Sequence, residues 1–120
     1  CAACHRFKNV GQSIGPGAAS FASKSAEELL TAILDPNRSV APRYVMYLAY
    51  TENGRTITGI ISGETANTIT LTDLQGKRQE LLRTEVEQLV SSGRSLMPEG
   101  VEKDLSVQDV TDLLRHLQDD

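Results

Sequence analysis

The chain opens on Cys1-Ala2-Ala3-Cys4-His5, two cysteines separated by two residues and followed directly by a histidine. These are the only two cysteines in the 120-residue sequence. Three chemistries use such a group: a redox dithiol, a metal site built on thiolates, and a haem attachment in which both thiols add to vinyl groups and the histidine binds iron. Each of them makes different demands on the rest of the chain.

Haem that transfers electrons needs a second axial ligand, and thioether sulfur is a usual choice because it raises the potential. The sequence offers two methionines, Met46 and Met97. Met46 lies in an apolar run typical of a buried strand. Met97 lies in Ser95-Leu96-Met97-Pro98, an irregular segment whose proline fixes the chain direction. The pattern therefore favours Met97 as the distal ligand and His5 as the proximal one.

Two further residues are candidates for the surroundings of such a site. A ligating histidine usually donates its other ring proton to a carbonyl, and the carbonyl of Pro16 in the Gly15-Pro16 step is a candidate acceptor. A simple tight turn is the alternative interpretation of that step. Arg94 is a candidate partner for a haem propionate through a charge-assisted hydrogen bond, and a solvated surface charge is its alternative.

The competing chemistries find less support in the sequence. A thioredoxin-type dithiol needs a strand before the motif and a helix after it, and neither pattern is visible. A closed structural zinc site needs four ligands, and no second cysteine pair accompanies Cys1 and Cys4. His116 lies near the end of the last expected helix, where a favourable interaction with the helix C-terminus is the simpler explanation.

Composition narrows the class of protein. The formal net charge is −4, and acids and bases are interspersed without a basic run, so nucleic acid is an unfavoured partner. No apolar stretch reaches the length that crosses a bilayer, so we expect no membrane insertion of this domain. The five aromatic residues, with no tryptophan among them, supply little bulk for a core. A bulky cofactor would fill that space.

The periodicity predicts helices at both ends of the chain and strands between them. Residues 7–23 are rich in breakers and predict a loop. Ser25-Ala-Glu-Glu28 is a capping box that opens a helix ending at Asp35, and Ser106-Val-Gln-Asp109 opens a second helix with a buried stripe through Leu117. Residues 44–90 predict a small antiparallel β-meander or barrel, with Glu52-Asn53-Gly54 as a hairpin turn.

The order of these motifs resembles the single-haem cytochrome c family, and more narrowly the planctomycete-type haem-binding domain. The resemblance covers essentially the whole chain and is carried by "CAACHRF", "GQSIGPG", "SAEELLTAILDPNRSVAPRY", "NGRTITGII" and "SLMPEGVEKDLSVQDVTDLLRHL". It implies an α+β fold, in which a cytochrome c-like helical haem domain spans residues 1–120 and the β-rich segment 44–90 is an insertion.

The resemblance also implies a function. One covalent haem c would be held through thioethers to Cys1 and Cys4, with His5 and Met97 on the iron and Pro16 as the carbonyl partner of His5. The domain would transfer single electrons from a fused or partner dehydrogenase, without being an enzyme itself. It would be exported, for example to the periplasm, as the C-terminal part of a longer protein with a further helix before Cys1.

A second hypothesis belongs to another class of protein. The β-rich segment would be a protein-interaction module, and the cysteine pair would be vestigial or joined in a disulfide. It predicts a folded, colourless protein whose stability does not depend on haem.

Overall fold

The computed structural model describes residues 1–118. Within that range the helices are α1 (Ala18–Ala22), α2 (Ala26–Leu34) and α3 (Val107–Gln118), and the strands are β1 (Val45–Thr51), β2 (Thr56–Glu64), β3 (Thr68–Thr72), β4 (Arg78–Leu82) and β5 (Val86–Ser95). The chain divides into two compact units. Residues 1–39 and 97–118 form the helical unit, and Val40–Leu96 form the sheet unit.

Local capping chemistry explains where the two longer helices begin. In α2 the Ser25 hydroxyl accepts from the Glu28 amide and the Glu28 carboxylate accepts from the Ser25 amide, each at 3.1 Å. Ser106 and Asp109 form the same reciprocal pair ahead of α3, at 2.9 and 3.0 Å. Both predicted helices are confirmed, because these contacts satisfy amides that a helix start leaves without partners.

The prediction of a loop throughout residues 7–23 is wrong, because α1 lies inside it. Gly17 precedes this helix in an extended conformation, with φ −88° and ψ 178°. A helix of five residues is too short to display an apolar period, so the Ala and Ser residues of α1 carry no readable signal.

The helical unit has a small core. Ile14, Leu29 and Ile33 are its buried aliphatic residues within the described range. The predicted buried stripe of α3, made of Val110, Leu113, Leu114 and Leu117, is only half-buried. None of residues 107–118 is fully buried.

The sheet unit is a five-stranded antiparallel sheet in the order β4-β3-β2-β1-β5. Its hairpin turns carry glycines with positive φ, Gly54 at 83° between β1 and β2 and Gly76 at 85° between β3 and β4. Glycine adopts this conformation without steric cost, which confirms the predicted turn at Glu52-Asn53-Gly54.

The sheet must curl, since its two edge strands follow each other in the chain. In a flat sheet, strands four places apart lie about 19 Å from one another. A single 3₁₀ turn, Arg83–Glu85, joins β4 to β5, and four peptide units from Leu82 to Val86 span at most about 15 Å.

Strand β2 provides the bend. Its first half, Thr56–Gly59, pairs with β1, and its second half, from Ile60 onward, pairs with β3. A Cβ at Gly59 would lie 2.5 Å from the Thr72 carbonyl oxygen, so the residue at this corner must be glycine. Ala49, Ile69, Leu71 and Leu81 form the core that the curled sheet encloses.

The predicted cytochrome c-like helical fold is wrong. The described chain is built mainly on the five-stranded sheet, and its three α-helices have only 5, 9 and 12 residues. One reason is that strand structure extends past the predicted limit at residue 90. Ser91-Ser-Gly93 was expected to be a loop, whereas β5 runs on to Ser95 and pairs with Val45 beyond an irregularity in the register.

No helix among residues 1–118 has the length and apolar character needed to span a membrane.

Candidate functional site

The cysteine motif forms one tight helical turn at the start of the helical unit. The Cys1 carbonyl accepts from the Cys4 amide at 3.0 Å and from the His5 amide at 2.9 Å. On such a turn, residues three and four apart lie on the same side. The turn therefore presents both sulfur atoms and the imidazole from a single short piece of backbone.

The segment 11–15 fixes this turn from behind. The Ala2 carbonyl accepts from the Gln12 amide at 3.0 Å, and the Cys4 carbonyl accepts from the amides of Ile14 and Gly15 at 2.9 and 2.7 Å. Ile14 is buried, so the hydrogen bonds are anchored to the core of the unit. Gly11, with φ 100°, allows the chain to reverse directly beneath His5.

The imidazole of His5 is held in one tautomer. Its Nδ1 lies 2.8 Å from the carbonyl oxygen of Pro16. Because a carbonyl oxygen only accepts, Nδ1 must carry the proton and donate. The lone pair then resides on Nε2, which is the nitrogen that the ring offers to a metal ion.

Two further contacts fix the ring plane. A Cβ at Gly15 would lie 2.6 Å from Cε1 and 2.9 Å from Nδ1 of His5, so the glycine backbone passes directly against the ring. The Phe21 ring meets the imidazole edge to face, with 5.5 Å between centroids and 62° between planes. Sequence reasoning missed both residues. Gly15 was treated only as a breaker, although an isolated glycine also indicates close backbone approach.

Both cysteines are thiols in the structure, with Cys1 exposed and Cys4 half-buried. The thiol is the form that adds to a vinyl group, and a Cys-x-x-Cys pair followed by histidine is the spacing of haem attachment. Among residues 1–118, no three His, Cys, Asp or Glu side chains are grouped closely enough to hold a metal ion by themselves. The donor set of this turn, two thiols and one imidazole nitrogen, fits haem c.

The remaining candidates fall into the two units as follows. Met97 is half-buried at the bend where the chain re-enters the helical unit, the same unit as His5. Met46 is a half-buried residue of β1 in the sheet unit, and its carbonyl accepts from the Ser92 hydroxyl at 2.6 Å. Arg94 is an exposed residue of β5 in the sheet unit, and its amide donates to the Ser92 hydroxyl. The roles predicted for these residues stay predictions.

His116 lies beside the motif without belonging to it. Its ring stacks on Phe7 at 4.2 Å between centroids, with the planes tilted by 43°. This contact ties the C-terminal end of α3 to the residue that follows His5 by two positions. His116 thus has a packing role in the described structure.

The chain matches no protein-family model and no curated protein.

Proposed function

We propose that the helical unit binds one haem c and carries single electrons. Cys1 and Cys4 would form the thioether links, Nε2 of His5 would bind the iron on one side, and the Met97 sulfur would bind it on the other. The likeness to cytochrome c-type haem domains is then one of attachment motif and ligand set rather than of fold.

One observation carries the proposal: the turn that bears both thiols also bears an imidazole whose Nδ1 proton is held by the Pro16 carbonyl at 2.8 Å. A ligating histidine needs this arrangement, since the hydrogen bond fixes the tautomer and raises the basicity of the ligating nitrogen. A redox dithiol has no use for it. The backbone of Gly15 and the ring of Phe21 add orientation, so the site is organised before any ligand arrives.

Bound haem would supply the one-electron chemistry, and the chain would supply attachment and tuning. The two thioethers hold the group independently of the axial bonds. The thioether of Met97 favours the reduced state and so raises the potential, while the His5–Pro16 hydrogen bond pushes electron density toward the metal and lowers it. Electrons would come from a fused or partner dehydrogenase, and attachment would take place after export.

The first experiment is a pyridine haemochrome assay on protein produced with a haem-attachment system. Covalent haem at one equivalent is the expected result, and Cys1→Ala with Cys4→Ala should remove it. A folded, colourless protein would overturn the proposal and would favour the interaction-module hypothesis.

The second experiment identifies the distal ligand. Met97→Ala should abolish the weak sulfur-to-iron absorption at the red end of the oxidised spectrum, because the replacement has no sulfur. Met46→Ala is the matched control and should leave that band in place. The opposite pattern would move the assignment to Met46.

A further inference from the structure

Charge is distributed unevenly along this chain. Residues 1–26 contain the cations Arg6, Lys8 and Lys24 and no aspartate or glutamate; the first carboxylate is that of Glu27. The chain as a whole has a formal net charge of −4. The segment that carries the cysteine motif is therefore opposite in sign to the protein around it.

These three cations are exposed to solvent. Among residues 1–118, the side-chain ion pair within salt-bridge distance joins Arg83 to Glu64 in the sheet unit. Lys24 belongs to the neighbourhood of the motif, because its amide donates to the Phe21 carbonyl at 3.0 Å and the Phe21 ring contacts His5. The positive charge thus lies around the turn and is not neutralised by a paired carboxylate.

The backbone of Lys8 provides an independent observation. Lys8 and Asn9 form a two-residue turn between Phe7 and Val10, whose amides and carbonyls bond to each other at 2.8 and 3.0 Å. Lys8 has φ 55° and is the non-glycine residue with positive φ in the described chain. Glycine is favoured at the first position of such a turn. A lysine that persists in a disfavoured conformation points to a use for its charge.

The cations surround small apolar residues. Ala2 and Ala3 are exposed on the turn, and Val10 is 69% exposed beside them. We call the surface formed by Ala2, Ala3 and Val10, together with Arg6, Lys8 and Lys24, the basic face. An apolar centre with a polar rim is the arrangement of protein interfaces.

We propose that the basic face docks the acidic surface of a partner protein, and that the electrons of the proposed haem site pass through this contact. The purpose of the contact rests on the proposed function, whereas the charge preference does not. Opposite charges steer encounter and set its orientation, so a weak, fast and salt-sensitive complex is expected. Three cations around an apolar centre are too few to follow a nucleic-acid backbone, where affinity depends on many phosphate contacts.

The thiols allow the charge preference to be measured without haem. Unloaded, reduced protein is treated with two disulfide probes, the dianion dithiobis(nitrobenzoate) and the dication cystamine, over a range of ionic strength. The dianion should slow as salt rises and cystamine should accelerate, because the local positive charge is being screened. A reagent that sensed the net charge of −4 would show the reverse, and that result would overturn the proposal.

Neutral variants locate the effect. Arg6→Gln and Lys8→Gln should each slow the dianion about two- to threefold at low ionic strength, as expected for one charge on the order of 10 Å away in water. Arg78→Gln, an exposed cation of β4 in the sheet unit, is the matched control and should leave the rate unchanged. Equal effects from all three variants would overturn the proposal.

Asp119 and Asp120 lie outside the described residues, and their contribution is measured directly. The double variant Asp119→Asn, Asp120→Asn should increase the preference for the dianion without creating it. If the preference exists only in that variant, the natural chain has no basic face and the proposal fails.

The class of partner is tested with polymers of defined charge. Soluble polyglutamate should compete with the dianionic probe and protect the thiols, while duplex DNA at equal charge should protect them less. Stronger protection by DNA would replace the protein partner by a nucleic acid and overturn the proposal. In haem-loaded protein, ferricyanide oxidation should show the same salt dependence and variant pattern. A colourless protein with the expected thiol kinetics would refute the haem site alone.

Discussion

Replacing Gly15 by alanine tests the organisation of the site at its closest contact. The added Cβ would lie 2.6 Å from Cε1 and 2.9 Å from Nδ1 of His5, where carbon atoms in favourable contact stand about 3.5 to 4.0 Å apart. The ring must therefore move by about 1 Å. Such a movement takes Nδ1 out of hydrogen-bond range of the Pro16 oxygen, which is 2.8 Å away.

The expected cost follows from these two effects. Overpacking a close contact costs about 1 to 3 kcal/mol, and losing the hydrogen bond adds about 1 kcal/mol. We expect the free energy of unfolding of the helical unit to fall by about 2 to 3 kcal/mol, which is about 10 °C or more in Tm for a unit of this size.

Gly17→Ala is the matched control. A Cβ at Gly17 would meet the Arg6 carbonyl oxygen at 3.7 Å, an ordinary contact, and φ there is −88°. Alanine at such a position is neutral or stabilising by up to about 1 kcal/mol, because it restricts the unfolded chain.

The assay is urea unfolding followed by circular dichroism, with the nitrogen chemical shifts of His5 as a second readout. The shifts report directly whether Nδ1 carries the proton. If Gly15→Ala and Gly17→Ala unfold alike and His5 keeps its Nδ1 proton in both, the idea that Gly15 positions the imidazole is refuted.

Three further predictions follow from single contacts. Gly59→Ala should destabilise the sheet unit by about 2 kcal/mol or more in urea unfolding, because its Cβ would lie 2.5 Å from the Thr72 carbonyl oxygen and backbone cannot yield as a side chain does; Gly63→Ala, with 3.7 Å to Thr70, should cost less than half as much. Lys8→Gly should raise the Tm, since relief of a left-handed conformation contributes about 1 kcal/mol, yet slow the dianionic probe; equal or lower stability would show that φ 55° carries no strain. Ser25→Ala should lower helix stability by about 1 kcal/mol through loss of the cap, whereas Ser23→Ala should not; equal Tm values for the two variants would contradict the importance of the capping box.

Features that depend on neighbouring residues were predictable from the sequence. The Ser25 and Glu28 cap and the Asn53-Gly54 turn are decided within four residues, so their side-chain chemistry alone determines the backbone. The His5–Pro16 pairing spans eleven residues. It was anticipated because a ligating imidazole requires an acceptor, and its role toward a haem stays a prediction.

Other features depend on tertiary contacts that no local pattern encodes. The approach of Gly15 to the His5 ring and the crossing of Gly59 over Thr72 are visible only once distant segments are placed together. The fold class was mistaken for a related reason. Motif resemblance covers the two ends of the chain, and it carries little information about how much of the middle belongs to a continuous sheet from Val45 to Ser95.

The pairing of Val45 with Ser95 has a consequence for the order of folding. The helical unit must bring together two segments separated by the whole sheet, as in the 2.7 Å hydrogen bond from the Asn37 amide to the Glu99 carboxylate, 62 residues apart. Once the sheet has formed, the loop still to be closed is only about ten flexible residues, which lowers the entropy cost of closure by about 1.5 kcal/mol. A chain that folds its sheet first therefore assembles the cysteine turn and the Met97 segment as near neighbours along the effective path, although the sequence keeps them far apart.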